Sequence, residues 1–288
     1  LRAGEGELAW TYARREPGAA LTYPRAVAAA PDGGAYVVDR TGWLLRIDAE
    51  GRPRAAAPAP DPGQGGPTGL CVDARGRLLV ADTHNSRVLV YDADLRLVEA
   101  FGEPGHEDGR LLLVTGVAED GDGRRYVTDH GDHVARVQVF SPSGELLLRF
   151  GRRGAAPGEL LRPRAVAVRG EWVAVADAGA HRVQVFGRDG VLAQVIGGLG
   201  AGPGELNQPY GVAFDAAGRL WVAELGNHRV QVFDAAGAPL ATWGEPGRRP
   251  GQLDQPWGVA VAGDRVYLLD ARNDRLHALR VEVLLGAR

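Results

Sequence analysis

The stretch GNHRVQVFDAAG, residues 226–237, returns almost unchanged as GAHRVQVFGRDG, residues 179–190. HVARVQVFSPSG (133–144) and NSRVLVYDADLR (85–96) carry the same core, and NDRLHALRVEVL (273–284) is a worn copy. Ahead of the copies lie short apolar runs that each end in an acid: Asp39, Asp82, Asp129, Asp177, Glu224 and Asp270. Ahead of those stand PRAV, PTGL, VTGV, PRAV, PYGV and PWGV, which begin at Pro24, Pro67, Val114, Pro163, Pro209 and Pro256. The period is about 43–49 residues, the range of propellers and other repeat arrays. A unit this short cannot bury an apolar face by itself, so its neighbours must cover it.

Each unit reads as strands. GVAFD, RLWVAE and HRVQVFD are short and Val-rich, with turn residues such as AAGR and DAAG between them. A fourth run follows the Asp/Gly turn, as in PLATWG and ELLLRFG. Four strands joined by short turns make antiparallel hairpins, and four-stranded units around an axis are propeller blades. The consecutive Val, Ala and Leu suit strands covered on both faces. A hydrophobic fraction of 45% over 288 residues supplies a core, and one closed all-β domain of this size is ordinary. No apolar run approaches the ~18 residues needed to span a bilayer.

The unit P-x-G-V-A, then L-x-V-A-D, then N-H-R-V-Q-V-F-D-x-x-G resembles the NHL repeat, and lacks the Gly-His and Trp-Asp pairs of WD40. Blades 4 and 5 match almost position for position, blade 2 well, blade 3 with a two-residue insertion, and blades 1 and 6 loosely. The resemblance implies an all-β, six-bladed propeller of four-stranded antiparallel blades in a single domain, 1–288. The expected blades are 24–66, 67–113, 114–162, 163–208 and 209–255, with 256–283 giving the first three strands of blade 6. GELAWTYARREPGAALTYPRAV (6–27) aligns with GELLLRFGRRGAAPGELLRPRAV (144–166). Residues 7–13 are therefore expected to supply the missing last strand of blade 6, which removes a free edge.

Features that recur in nearly every blade are expected to hold the fold. The acid ending strand two can accept backbone N–H groups of the following loop. Arg87, Arg136, Arg182, Arg229 and Arg275 recur one register later, and His181 and His228 occupy the repeat's own His position. Cys71 stands alone, which allows no intramolecular disulfide, and a lone buried thiol is a small hydrophobe.

Function is sought where the repeats disagree. The loops joining strand four to strand one and strand two to strand three share one face. The variable residue of P-x-G-V should stand at the channel mouth there. Around the ring it reads Arg25, Thr68, Thr115, Arg164, Tyr210, Trp257, and the residue after each strand-two acid reads Arg40, Thr83, His130, Ala178, Leu225, Ala271. Blades 1 and 4 are opposite in a six-bladed ring, so Arg25 and Arg164 face each other. Guanidiniums, hydroxyls and aromatics around one opening suit an anionic ligand or an acidic peptide. The alternative is that each Arg pairs with a strand-end acid, Asp39 or Asp177, and plugs the channel.

The mouth lacks the histidines with which the resembling peptidyl-hydroxyglycine lyases hold zinc, so no metal or other cofactor is expected. No phosphate-binding Gly loop appears. His130, Asp132 and His133 lie close together in the distinctive blade 3 loop, where a His–Asp pair suits a general base. All 33 basic residues are arginine, which excludes a lysine Schiff base. The RNA-binding use of animal NHL domains needs a basic face, and a net charge of −3 argues against one. The expectation from sequence is a non-catalytic binding or scaffolding propeller. A protein partner ranks before a small anionic ligand, and an enzyme (lyase or hydrolase) using the blade 3 loop is the alternative. Leu1 in place of Met, with the resemblance, gives an expectation of a bacterial periplasmic or cell-surface protein, the cytoplasm being the alternative.

Overall fold

The computed structural model describes residues 8–13, 20–61, 65–131 and 133–286. It is an all-β propeller of six four-stranded antiparallel sheets. Blade 4 shows the plan. Pro163–Arg169 lies innermost, followed outward by Trp172–Asp177, Arg182–Gly187 and Leu192–Gly197. The other innermost strands are Pro24–Ala29, Gly69–Val72, Leu113–Glu119, Pro209–Phe214 and Pro256–Ala262. Each contacts the next in cyclic order, and the last returns to the first. No helix of the described residues is long and apolar enough to cross a membrane.

The ring closes between its ends. Leu8–Tyr12 is the outermost strand of the blade that holds Pro256–Ala262, Arg265–Asp270 and Arg275–Arg280. Trp10 pairs with Ala278, Thr11 with His277 and Tyr12 with Leu276. Tyr12 is buried in a cluster shared with Leu21, Val27 and Leu276. Thr11 Oγ1 and His277 Nδ1 are 2.9 Å apart. The two ends of the chain thus share one sheet and one core.

Three second strands, Ala35–Asp39, Leu78–Asp82 and Leu220–Glu224, are buried along their whole length, and the other three along all but an end. The innermost strands meet at glycine. A Cβ on Gly211 would stand 2.9 Å from the Gly258 Cα, and one on Gly116 2.9 Å from the Ala165 Cα. The P-x-G-V glycine is therefore a close-approach residue, and it draws the blades in around the axis.

The strand-two acids are none of them more than 2% exposed. Asp129 accepts the Leu112 N–H at 2.8 Å, Glu224 the Asn207 N–H at 3.0 Å and Asp270 the Asp254 N–H at 2.7 Å. In these blades the acid holds the loop before its blade, not only the one after it. The recurring arginines complete the tie. Arg182 pairs with Asp177 at 2.8 Å and also donates to the carbonyls of Ala155, Ala156 and Glu159. Arg229 does the same with Glu224 and the carbonyls of Ala201, Gly202 and Glu205. His181 and His228 each accept a backbone N–H from the end of the loop that leads into the next blade, of Gln208 at 3.2 Å and Gln255 at 3.1 Å. The repeated phrase is a set of latches between blades. Burial pushes the Cys71 thiol up to about 12, which leaves it inert.

Candidate functional site

In five of the six blades the variable residue of P-x-G-V is displaced from its sheet by a bulge. Pairing with strand two skips it between Pro24 and Ala26, Val114 and Gly116, Pro163 and Ala165, Pro209 and Gly211, and Pro256 and Val259. A bulge leaves its extra residue unpaired and re-aims the side chain. Arg25, Thr68, Thr115, Tyr210 and Trp257 line the axial channel, whose cavity is only about 60 Å³. That is room for a water or two, so a ligand would sit on the mouth and not in the bore.

Five of the predicted residues form one arc with two that sequence reasoning missed. The Arg164 guanidinium lies 4.9 Å from the Tyr210 ring centroid. Tyr210 meets Trp257 edge to face at 4.8 Å, and Trp257 meets Tyr23 the same way at 5.5 Å. Arg25 stands 6.0 Å from the Trp257 ring and donates to the Gly66 carbonyl at 3.2 Å. The charges of Arg164 and Arg162 both act on His130. Tyr23 and Arg162 are the missed members. Each precedes the proline of its repeat and holds a left-handed backbone, with φ of 49° and 57°. The residue before that proline varies as freely as the one after it, and this was the available signal.

The two threonines are placed differently. Thr115 is buried and donates to the Pro163 carbonyl of the next blade at 2.8 Å. Thr68 pairs with Thr83 at 2.8 Å. Their hydroxyls serve the seams between strands and blades. Arg40 is exposed on its turn, and its charge lowers the Arg25 pKa.

Arg25 and Arg164 are not tied to the strand-end acids. Among the described residues neither makes a salt bridge, while Asp177 is taken by Arg182, Gln184 and the Leu161 N–H. Asp39 is taken by Thr41 and the Thr22 and Trp43 N–H groups. Both guanidiniums are half-buried, and the Nε of each is enclosed without an acceptor. Burial first, then Arg40 and Arg164, pull the Arg25 pKa below its ordinary value, with Asp39 only partly opposing. Burial, with Arg162 adding to it, does the same to Arg164.

The blade 3 loop is described only in part. Asp132 lies outside the described residues. His133 is exposed in the turn with φ 82°, and no contact joins it to His130 among the described residues. There, too, no group of three or more His, Cys, Asp or Glu side chains is arranged to hold a metal ion. His130 stands apart from the loop. Its Nε2 is enclosed and has no hydrogen-bond partner. Burial, followed by the charges of Arg164 and Arg162, lowers its pKa to about 4.

With the fold and mouth defined, comparison with known proteins places the chain among six-bladed propellers. The model of the NHL repeat matches residues 65–91 and 206–233. The Drosophila melanogaster protein brain tumor is 29% identical over 102 residues, which is 35% of this chain and 9% of that protein. The chain thus matches about a tenth of that curated relative's length. Among solved structures, a gluconolactonase from Xanthomonas campestris aligns with a TM-score of 0.68 at 20% identity, over 91% of this chain and 86% of that one. A catalytically inactive histidine-to-alanine variant of virginiamycin B lyase from Staphylococcus aureus, with quinupristin, aligns with a TM-score of 0.63 at 10% identity, over 96% and 89%.

At these identities the structural likenesses show the fold. They also correct the sequence-based expectation of a non-catalytic scaffold. Propellers that superpose over nearly the whole chain include a lactonase and a lyase. The preference for a protein-interaction module over an enzyme is therefore withdrawn. The recurring repeat residues hold the fold, but they say nothing of the mouth, where the repeats differ.

Proposed function

We propose that this protein is a propeller enzyme of the lactonase or lyase kind, with NHL-type repeats, whose working site is the channel mouth and whose proton-transfer group is His130. The observation that carries the reading is the His130 imidazole. It is neutral at ordinary pH, its enclosed Nε2 has no hydrogen-bond partner among the described residues, and it feels the charge of Arg164, which makes no salt bridge there. In either chemistry a base removes a proton, from water in ester hydrolysis or from carbon in elimination, while negative charge gathers on an oxygen. Arg164, whose charge acts on His130, is the group assigned to receive that oxygen. A similar propeller lyase is catalytically inactive when one histidine is replaced by alanine, which is in keeping with a histidine as the working group.

The NHL assignment for the whole ring rests on the repeats quoted above and on the two matched regions. The test is a turnover assay over lactones and activated esters, with His130→Gln beside the wild type and the exposed His106→Gln as control. The expected result is a loss in kcat/KM of about 100-fold or more for His130→Gln and none for the control. Equal activity in His130→Gln would refute the assignment.

A further inference from the structure

Two sets of arginines in this chain differ in their partners. Those of strand three are saturated: Arg136, Arg182, Arg229 and Arg275 each pair with a buried acid and cap loop carbonyls. Those of the mouth are not. Arg25, Arg40, Arg162 and Arg164 make no salt bridge among the described residues. A half-buried guanidinium without an anion forgoes the strongest hydrogen bonds it can make. Arg25 and Arg164 stand on opposite blades, and each adjoins one end of an aromatic wall: Arg25 lies by Trp257, Arg164 by Tyr210.

We propose that the mouth binds a small organic dianion, with one acidic group on Arg164, the other on Arg25, and its flat or apolar body against Tyr210 and Trp257. The proposal names the ligand of the site assigned above and rests on placing that site at the mouth, but its test is binding and not turnover. The wall favours a body over a bare ion, because edge-to-face rings present apolar area that an inorganic anion does not use. The narrow bore below keeps the ligand small and superficial. A tracked polyanion fits less well. The chain as a whole carries a net charge of −3, which opposes a long phosphate-tracking surface.

Titration calorimetry with isophthalate, phenyl phosphate, inorganic phosphate and the neutral isophthalamide tests this, with tryptophan fluorescence in parallel. The carboxylate and phosphate probes separate the two sources of acidic group. The expected result is saturable binding of at least one ring-bearing anion with Kd below about 1 mM. Arg164→Gln and Arg25→Gln should each weaken it about tenfold or more, while Arg152→Gln on an outer loop has no effect. Arg164→Lys keeps the charge should the Gln variant fail to fold, and should retain part of the affinity while losing the fork.

The proposal is overturned if no anion binds up to about 10 mM, if isophthalamide binds as well as isophthalate, or if folded Arg25 and Arg164 variants bind unchanged. Inorganic phosphate binding as tightly as phenyl phosphate would overturn the part assigned to the wall. Dianion binding without turnover of any ester would leave this proposal standing and sink the enzyme assignment. Turnover of neutral lactones without dianion binding would do the reverse.

Discussion

The guanidinium of Arg164 stands over the ring of Tyr210, 4.9 Å from its centroid, across the seam between the fourth and fifth blades. This contact takes the place of the carboxylate that the strand-three arginines have. It holds the cation through the ring face and leaves its hydrogen-bonding edge without a charged partner. A cation over an aromatic face is worth about 0.5–2 kcal/mol depending on desolvation. Tyr210→Leu should therefore loosen Arg164 and weaken ligand binding by a few fold, as read by calorimetry. Tyr210→Phe, which keeps the ring, should stay close to wild type. Equal loss in both would mean that the hydroxyl matters and the ring face does not.

His130 sets a pH dependence. Its pKa is lowered to about 4 by burial and by Arg164 and Arg162. A base is active when neutral, so activity should persist as pH falls below 6.5 and fail only near 4. Arg164→Gln removes one of the two cationic causes, and the acid limb of kcat/KM should move upward toward the ordinary histidine value of about 6.5. A wild-type limb at 6.5 that does not move in this variant would contradict the placement of His130. The same shift bears on stability. With the folded pKa below the unfolded one, stability is full above about 6.5 and is lost as pH falls toward 4. His130→Gln should flatten that part of the melting-temperature profile.

Asp177 is fully buried and holds the Leu161 N–H, Arg182 and Gln184. Asp177→Ala leaves Arg182 buried without its anion and should cost about 3–5 kcal/mol, seen as a lower denaturant midpoint. A change below about 1 kcal/mol, the scale of an exposed ion pair, would mean that water or the loop carbonyls replace the acid.

Closure can be tested at Tyr12, buried where the first described strand meets the sixth blade. Tyr12→Ala should cost about 3–5 kcal/mol, as for other large buried aromatics. Deletion of residues 1–13 should expose the edge at Arg275–Arg280 and cause aggregation or a markedly lower melting temperature. An unchanged melting curve in both would show that the ends are not jointly structural.

The fold was legible because the repeat states it six times. Each copy of V-A-D and H-R-V-Q-V-F marks a strand, and the N-terminal fragment aligned with a fourth strand found elsewhere. The mouth was legible in part. Arg25, Arg164, Tyr210 and Trp257 stood out as variable positions in a constant motif, and the bulges that aim them follow from the same motif. What the sequence did not disclose were the contacts between blades. Thr115 looked like a mouth hydroxyl, yet its partner is the Pro163 carbonyl, 48 residues away. His130, read from sequence with Asp132 and His133, lies at the end of its strand, paired with Leu113 and Ala135, and the charge of Arg164 in the next blade acts on it. Tyr23 and Arg162 were passed over because they precede the motif.

A crystal structure of the protein with isophthalate tests the central claim most directly. The account predicts density at the channel mouth, with one carboxylate on Arg164, the other on Arg25, and the ring against Tyr210 and Trp257. Density elsewhere, or an empty mouth with both guanidiniums turned onto Asp39 and Asp177, would contradict it.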